Sequence, residues 1–343
     1  MVTIGIDAHK RSHTVVIIDE QGRQLATRTV ATTSADHLEL VAWSARFPER
    51  RWAVEDCRHL SRRLERDLLA AGERIVRVPP KLMANTRTSA RSFGKSDPID
   101  ALAVARAALR EHDLPVARLD GAEREVRLLV DHREDLVGER TRMISRLRWH
   151  LHELDPGNEP ALRTLNHLRN LDRLAERLAD LDGTVARIAR ELVARCRALT
   201  AEINQLEREI NELVATLAPA LLAICGCGAL TAAKILAETA GIERFKSPDA
   251  YARHNGSAPI PVWSSNRSRH RLSRSGNRQL NAALHRIALT QARLHPGARV
   301  LLARRRANGD GGLEALRVLK RRLSDVVYRA LLTDAHAATT TVT

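Results

Sequence analysis

Aromatic residues are scarce, at 3% of 343 residues, which argues against an extended platform for stacking unpaired bases. Cysteine is scarce too. Cys57, Cys196, Cys225 and Cys227 fit a reducing compartment, and no second pair or clustered histidine completes a zinc site around Cys225 and Cys227. Those two are expected to be small buried apolar residues. No apolar run is long enough to span a bilayer, and no basic segment followed by an apolar stretch opens the chain. The expectation is a cytoplasmic protein with no membrane partner. Acid is short relative to base, 41 residues against 56, leaving a formal charge of +15. That excess points to a polyanionic partner whose phosphates are tracked along a duplex or a structured RNA. Lysine is nearly missing, limited to Lys10, Lys81, Lys95, Lys234, Lys246 and Lys320. A GC-rich genome accounts for arginine over lysine, but not for base over acid.

What is present falls into three stretches. The first third alternates strands and helices: "VTIGIDAH", "HTVVIIDEQG" and "RQLATRTV" read as an antiparallel meander. A helix around 38–47, the strand "RWAVE", a helix over about 59–71, the strand "RIVRV" and helices over 80–90 and 98–110 follow. Three strands followed by strand–helix units is the order of a ribonuclease-H-like α/β domain, over 1–115. From about 120 to 218 glycine thins out. Leu192, Cys196, Leu199, Ile203, Leu206, Ile210, Leu213 and Leu217 repeat at steps of four and three, a heptad seam. With an earlier helix over 128–154 it forms an all-α coiled-coil hairpin, read either as a spacer packing on itself or as a dimerisation element. The stretch 219–334 is compact and helical, and 335–343 is expected to be disordered.

Four acids stand out: Asp7, Glu55, Asp97 and Asp100. Asp7 alternates with Ile4 and Ile6 and taken alone reads as surface. Asp97 before Pro98 fits an N-cap, and Asp100 suits the helix dipole. The same spacing puts both carboxylates on one helical face, where a hard cation could be shared. Gathering all four in one place suits phosphoryl transfer with two magnesium ions. In "ICGCGALTAAKILAE", Gly226 and Gly228 form a turn between helices whose amides could hold a phosphate, as in a helix-hairpin-helix, or that simply packs tightly. In "NGSAPIPVWSSNRSRHRLSRSGNRQLN", Arg267, Arg269, Arg271, Arg274 and Arg278 surround a cluster of serines in what reads as a shaped loop. A serine there could act as a nucleophile.

In order and spacing these segments resemble the DEDD-type transposases of the insertion sequence 110 family, which includes RNA-guided bridge recombinases. The resemblance implies a RuvC-like N-terminal domain carrying the tetrad, a coiled coil, and a C-terminal transposase domain with a nucleophilic serine. That serine falls at Ser264, five residues after Pro259, with Ser265 as its neighbouring rival. It further implies Mg2+, DNA at element ends and target, a covalent 5′-phosphoserine and a noncoding guide RNA. It also implies a homo-oligomer, dimer or tetramer through the coiled coil, in which tetrad and serine come from different protomers. A nucleoid-associated cytoplasmic protein would follow. Many relatives show "EATG" at the second acid where this chain has "EDCRHL". The alternatives from other classes are a resolvase or nuclease that uses water, and a non-catalytic coiled-coil protein that binds nucleic acid.

Overall fold

A computed structural model describes residues 1–79, 82–83, 96–111, 114–117, 121–264, 267–271 and 276–340, with backbone alone at 58–59, 261–264, 267–271 and 339–340. The chain divides into two compact units, Met1–Asp120 and Gly121–Thr343.

The first unit is built on a five-stranded sheet. Its strands are β1 (Val2–Ala8), β2 (Ser12–Ile18), β3 (Gln24–Ala31), β4 (Arg50–Glu55) and β5 (Ile75–Val78), in the order β3-β2-β1-β4-β5. β1–β2 and β2–β3 are antiparallel, whereas β1–β4 and β4–β5 are parallel. This is the ribonuclease-H-like order expected from the sequence. The helices are α1 (Ser34–Ser44), α2 (Arg58–Ala70) and α3 (Asp97–Arg110). Ile4 and Ile6 pack with Leu40, Trp52, Leu64 and Leu68 on one face of the sheet. On the other face Val16 and Ile18 meet Ala101 and Ala105 of α3. Both faces of β1 are therefore covered, and Asp7 is buried rather than at the surface.

The alanines of α3 let it approach the sheet closely. At Gly5 no side chain fits: a Cβ would overlap the Ala101 carbonyl oxygen and lie 2.5 Å from the Ala105 nitrogen. α1 starts four residues earlier than the apolar periodicity indicates, because the Thr33 side chain caps it by accepting from the Asp36 amide. The helix expected over 80–90 lies outside the described residues except at Leu82 and Met83, which are helical.

The second unit opens with α4 (Ala122–Leu154), two single 3-10 turns, α5 (Leu168–Ala179) and α6 (Thr184–Leu217). The heptad positions Cys196, Leu199, Ile203 and Ile210 are buried, while Leu192, Leu206, Leu213 and Leu217 are half-buried. Their partners belong to the same chain. Leu199 and Ile203 pack against Leu136 of α4. Cys196 and Val193 join Leu147 and Leu151 of α4 and Leu171, Leu174 and Leu178 of α5. Arg195 pairs with Glu139 at 2.7 Å, and Arg133 pairs with Glu207. The seam is thus an intramolecular one, closed by a third helix that the sequence reading did not resolve.

The chain continues through α7 (Pro219–Leu222), α8 (Ala229–Thr239), α9 (Pro248–His254), the hairpin β6 (Ile260–Ser264) and β7 (Arg267–Arg271), α10 (Arg278–Leu294), α11 (Pro296–Ala307) and α12 (Gly312–Thr340). Val130 of α4 and Val214 of α6 share one core with Tyr251, Leu284, Ile287 and Val327, which roots the hairpin among the C-terminal helices. Three expectations change here. Of the tail expected to be disordered, 335–340 continue α12 through Thr340, favoured by its alanines and by Ala335 packing on the core, and 341–343 lie outside the described residues. Asp334 anchors this helix by accepting from the Ala220 and Leu221 amides at 2.8 and 3.2 Å. Cys227 is buried as expected, but Cys225 is exposed. Finally, the segment read as a loop contains a hairpin in which Ser264 pairs with Arg267. The alternating "IPVWS" and "RSRHR" suit paired strands better than their prolines and serines suggest.

No helix among the described residues is long and apolar enough to cross a membrane.

Candidate active site

The four acids reach one place through three separate elements. Ile6 of β1 is in register with Val54 of the parallel β4, so Asp7 and Glu55 stand level one step further along. Ile6 and Val54 both face α1 and α2, and strand alternation therefore sends Asp7 and Glu55 toward the α3 side. α3 runs along that side with Ala101 against Gly5. Two strand residues advance about 6.6 Å and four helical residues about 6 Å. Going from Gly5 to Asp7 on the strand thus matches going from Ala101 back to Asp97 on the helix. The close approach at Gly5 is what delivers Asp97 and Asp100 to Asp7.

The first turn of α3 differs from expectation in one respect. Ser96 is the N-cap residue, its carbonyl accepting from the Asp100 amide at 3.0 Å, and Asp97 is the first helical residue. Asp97 therefore does not cap the helix, and its side chain is exposed. Asp100 is buried.

Burial pushes the Asp7 carboxyl up to about 6. His9 opposes that rise, while Asp100, Asp97 and Glu55 add to it, so the other three acids all act electrostatically on Asp7. Asp7 Oδ2 is buried without a hydrogen-bond partner. An orphaned carboxylate oxygen surrounded by other acids is costly unless a cation meets it. Four carboxylates offer the oxygen donors that a hard divalent ion takes. The site therefore fits the metal that a DEDD arrangement implies, with Asp7, Glu55, Asp97 and Asp100 available to hold it.

One residue escaped the sequence reading. His9 stands two residues after Asp7 on the same side of the chain, and its Nδ1 lies 3.5 Å from Asp7 Oδ2. Ligand atoms of Asp7, His9 and Asp97 all lie within 4.8 Å of one another. The period-two spacing of "DAH" was the available signal. Cys57 borders the same region, and burial pushes its thiol up to about 11, with Glu55 and Asp7 adding to the rise.

The other predicted residues lie in the second unit. Ser264 ends β6, and Arg267, Arg269 and Arg271 lie on β7 in register with Ser264, Val262 and Ile260. Ser265 and Arg274 fall outside the described residues. The base of this hairpin is closed tightly: Gly256, at φ +70°, contacts Gly276, where a Cβ would come within 2.9 Å of the Asn255 carbonyl carbon. Asn277 caps α10 by accepting from the Leu280 amide, which places Arg278 in the exposed first turn. Gly226, at φ +86°, packs so closely on α10 that a Cβ would lie 2.9 Å from Thr290 Cβ, and Gln291 donates to the Cys225 carbonyl at 2.9 Å. Gly226 thus serves tight packing. Gly228 is the exposed N-cap residue of α8 and has open space around it.

Two family models match the chain: a transposase model named for the DEDD motif and insertion element IS110, over residues 4–156, and the model "Transposase IS116/IS110/IS902 family", over residues 218–302. The 42 kDa protein of insertion element IS900 from Mycobacterium paratuberculosis is 30% identical over 99% of this chain and 98% of its own length. The 44.8 kDa protein of IS116 from Streptomyces clavuligerus is 28% identical over 97% and 95%. RuvC from T. thermophilus, solved with a Holliday-junction substrate, aligns with 34% of this chain and 99% of its own at 16% identity and a TM-score of 0.27.

Proposed function

The chain belongs to the IS116/IS110/IS902 family of transposases, and from that premise we propose that it cuts and rejoins DNA through a serine-linked intermediate. One observation carries the reading: a buried Asp7, one oxygen of which lacks a hydrogen bond, lies within electrostatic reach of Glu55, Asp97 and Asp100 at the end of a ribonuclease-H-like sheet. Asp7, Glu55, Asp97 and Asp100 would hold the cations beside the scissile phosphate. When bound, two Mg2+ ions would offset the charge that develops on the attacking and leaving oxygens. Ser264 Oγ attacks phosphorus, forming a 5′-phosphoserine; the 3′ oxygen leaves and gains the proton that serine gives up. Attack by the 3′-hydroxyl of an exchanged strand reverses the step, joins the DNA and restores serine. Arg267, Arg269, Arg271, Arg274 and Arg278 steady the phosphate charge, and the exposed turn at Gly228, next to Gly226, contacts the DNA backbone.

The resemblance also supports a noncoding RNA that chooses the DNA by base pairing, and an oligomer in which one protomer's tetrad meets another's Ser264. The seam is filled from within the chain at Cys196, Leu199 and Ile203, so the outward faces of the coiled-coil hairpin are the ones through which copies would meet. The protein acts in the cytoplasm, at the nucleoid.

A DNA junction carrying element ends, with the element's RNA and Mg2+, tests this directly. Wild type should cleave it, while Asp7→Asn and Ser264→Ala should each reduce cleavage by at least ~100-fold. Cleavage that survives Ser264→Ala but not Asp7→Asn would establish a water-using nuclease instead. Adduct formation that survives Ser264→Ala and is lost in Ser265→Ala would move the nucleophile by one residue.

A further inference from the structure

We propose that His9 is an additional ligand to the cation held by Asp7 and Asp97, giving the site a mixed nitrogen and oxygen donor set that favours Mn2+ over Mg2+. The inference rests on the metal reading of the tetrad and deepens it.

The argument begins with the backbone. β1 ends at Ala8, and the His9 amide donates to the Ser12 carbonyl at 3.0 Å, which closes the turn into β2 and fixes where His9 stands. Strand alternation then puts His9 on the side of Asp7. The separation of His9 Nδ1 from Asp7 Oδ2, 3.5 Å, exceeds a charge-assisted hydrogen bond of about 2.8 Å. The imidazole is thus beside the carboxylate without a hydrogen bond to it, and the buried Oδ2 has no hydrogen-bond partner among the described residues.

A cation between them resolves both facts. Two donors on opposite sides of an ion with bonds of about 2.1 Å lie about 4.2 Å apart, and adjacent donors about 3 Å. The atoms of Asp7, His9 and Asp97 all fall within 4.8 Å of one another, a set that a single ion would draw together with small side-chain movements. His9 and Asp97 are exposed, so the ion has an entry path, whereas Asp7 is buried and anchors it. A neutral imidazole suits a transition ion, while Mg2+ prefers oxygen and keeps its waters. His13, also near the end of this sheet, is fully buried and outside the cluster, which makes it a natural control.

The test is pulsed electron paramagnetic resonance on the full-length protein loaded with Mn2+ alone, with 15N-histidine labelling to identify the nitrogen. The expected result is coupling to one histidine nitrogen that is lost in His9→Ala and His9→Gln and retained in His13→Phe. Calorimetry on the same variants should show Mn2+ affinity reduced about tenfold and Mg2+ affinity changed less than about threefold. Mn2+ that binds in an Asp7-dependent manner without histidine coupling, or with coupling that persists in His9→Ala, overturns the role of His9 and leaves the tetrad standing. Absence of any binding that Asp7→Asn removes overturns both.

Discussion

Gly5 offers a direct handle on how the fold makes the site. Replacing it with alanine puts a Cβ 2.5 Å from the Ala105 nitrogen and 2.7 Å from the Ala105 Cβ, besides the overlap with the Ala101 carbonyl. Ordinary carbon contacts sit near 3.5 Å, so α3 must retreat from β1 by about 1 Å. Two of the obstructing atoms are helical backbone, which no rotamer change can clear. Overpacking of this kind costs about 1–3 kcal/mol. The helix carries Asp97 and Asp100 with it, and a 1 Å displacement of reacting groups is worth about 100-fold in rate. Gly138 in α4 is the comparison, because a Cβ there meets only the Arg142 guanidinium at 3.5 Å. Gly138→Ala should stabilise by up to about 1 kcal/mol through helix propensity. Urea unfolding followed by tryptophan fluorescence gives both stabilities, and calorimetric Mn2+ titration reads the site. Should Gly5→Ala lose less than about 0.5 kcal/mol and bind the ion as wild type does, the claim that this contact delivers the helical carboxylates fails.

Other expectations follow from buried groups. Burial lowers His13 to about 4 from 6.5, with His37 and His9 adding to the shift. The unfolded chain therefore takes up a proton between those values that the folded chain refuses, and stability falls as pH drops through that window. That gap amounts to about 3 kcal/mol, so wild type should lose up to about that much more than His13→Phe between pH 7 and pH 4; parallel stability–pH curves would refute this. Leu199→Ala, in the closed seam, should cost about 2–5 kcal/mol. Because the partners are intramolecular, the drop in melting temperature should not depend on protein concentration; a concentration-dependent drop would mean that the seam is shared between copies. Asp334→Ala removes the acceptor for two amides of α7 and should cost about 1–3 kcal/mol by denaturant titration. A change within about 0.3 kcal/mol would mean that water replaces the carboxylate.

How much of this could be read from the residues depends on the range of the interaction involved. The strands of the first unit and the long α4 and α6 follow from local periodicity, and the sheet order follows from their succession. Asp7, Glu55, Asp97 and Asp100 were identifiable as a set, but Asp7 taken alone read as surface because nothing local reveals that α3 covers its side of β1. Asp97 read equally as a cap, because Asp-Pro favours that role, and as a ligand, and the structure moves the cap to Ser96. His9 carried a usable period-two signal that the focus on carboxylates passed over. The seam of α6 was legible, but not the identity of its partner: Leu147 of α4 and Leu174 of α5 fill it, and a heptad cannot say which chain supplies them. The β6–β7 hairpin was hidden by Pro261 and its serines, whose turn chemistry competes with the alternation of Val262, Arg267, Arg269 and Arg271.

The central claim is that a serine far along the chain from the acids completes their chemistry, and mass spectrometry of the arrested reaction tests it. DNA with the element's ends, the element RNA and Mg2+ is reacted in 18O-water, denatured and digested with nuclease and protease. The account predicts a peptide carrying a nucleoside 5′-phosphate on Ser264, formed only when Asp7 is intact. A 5′-phosphate product containing one 18O, with no modified serine, would contradict it.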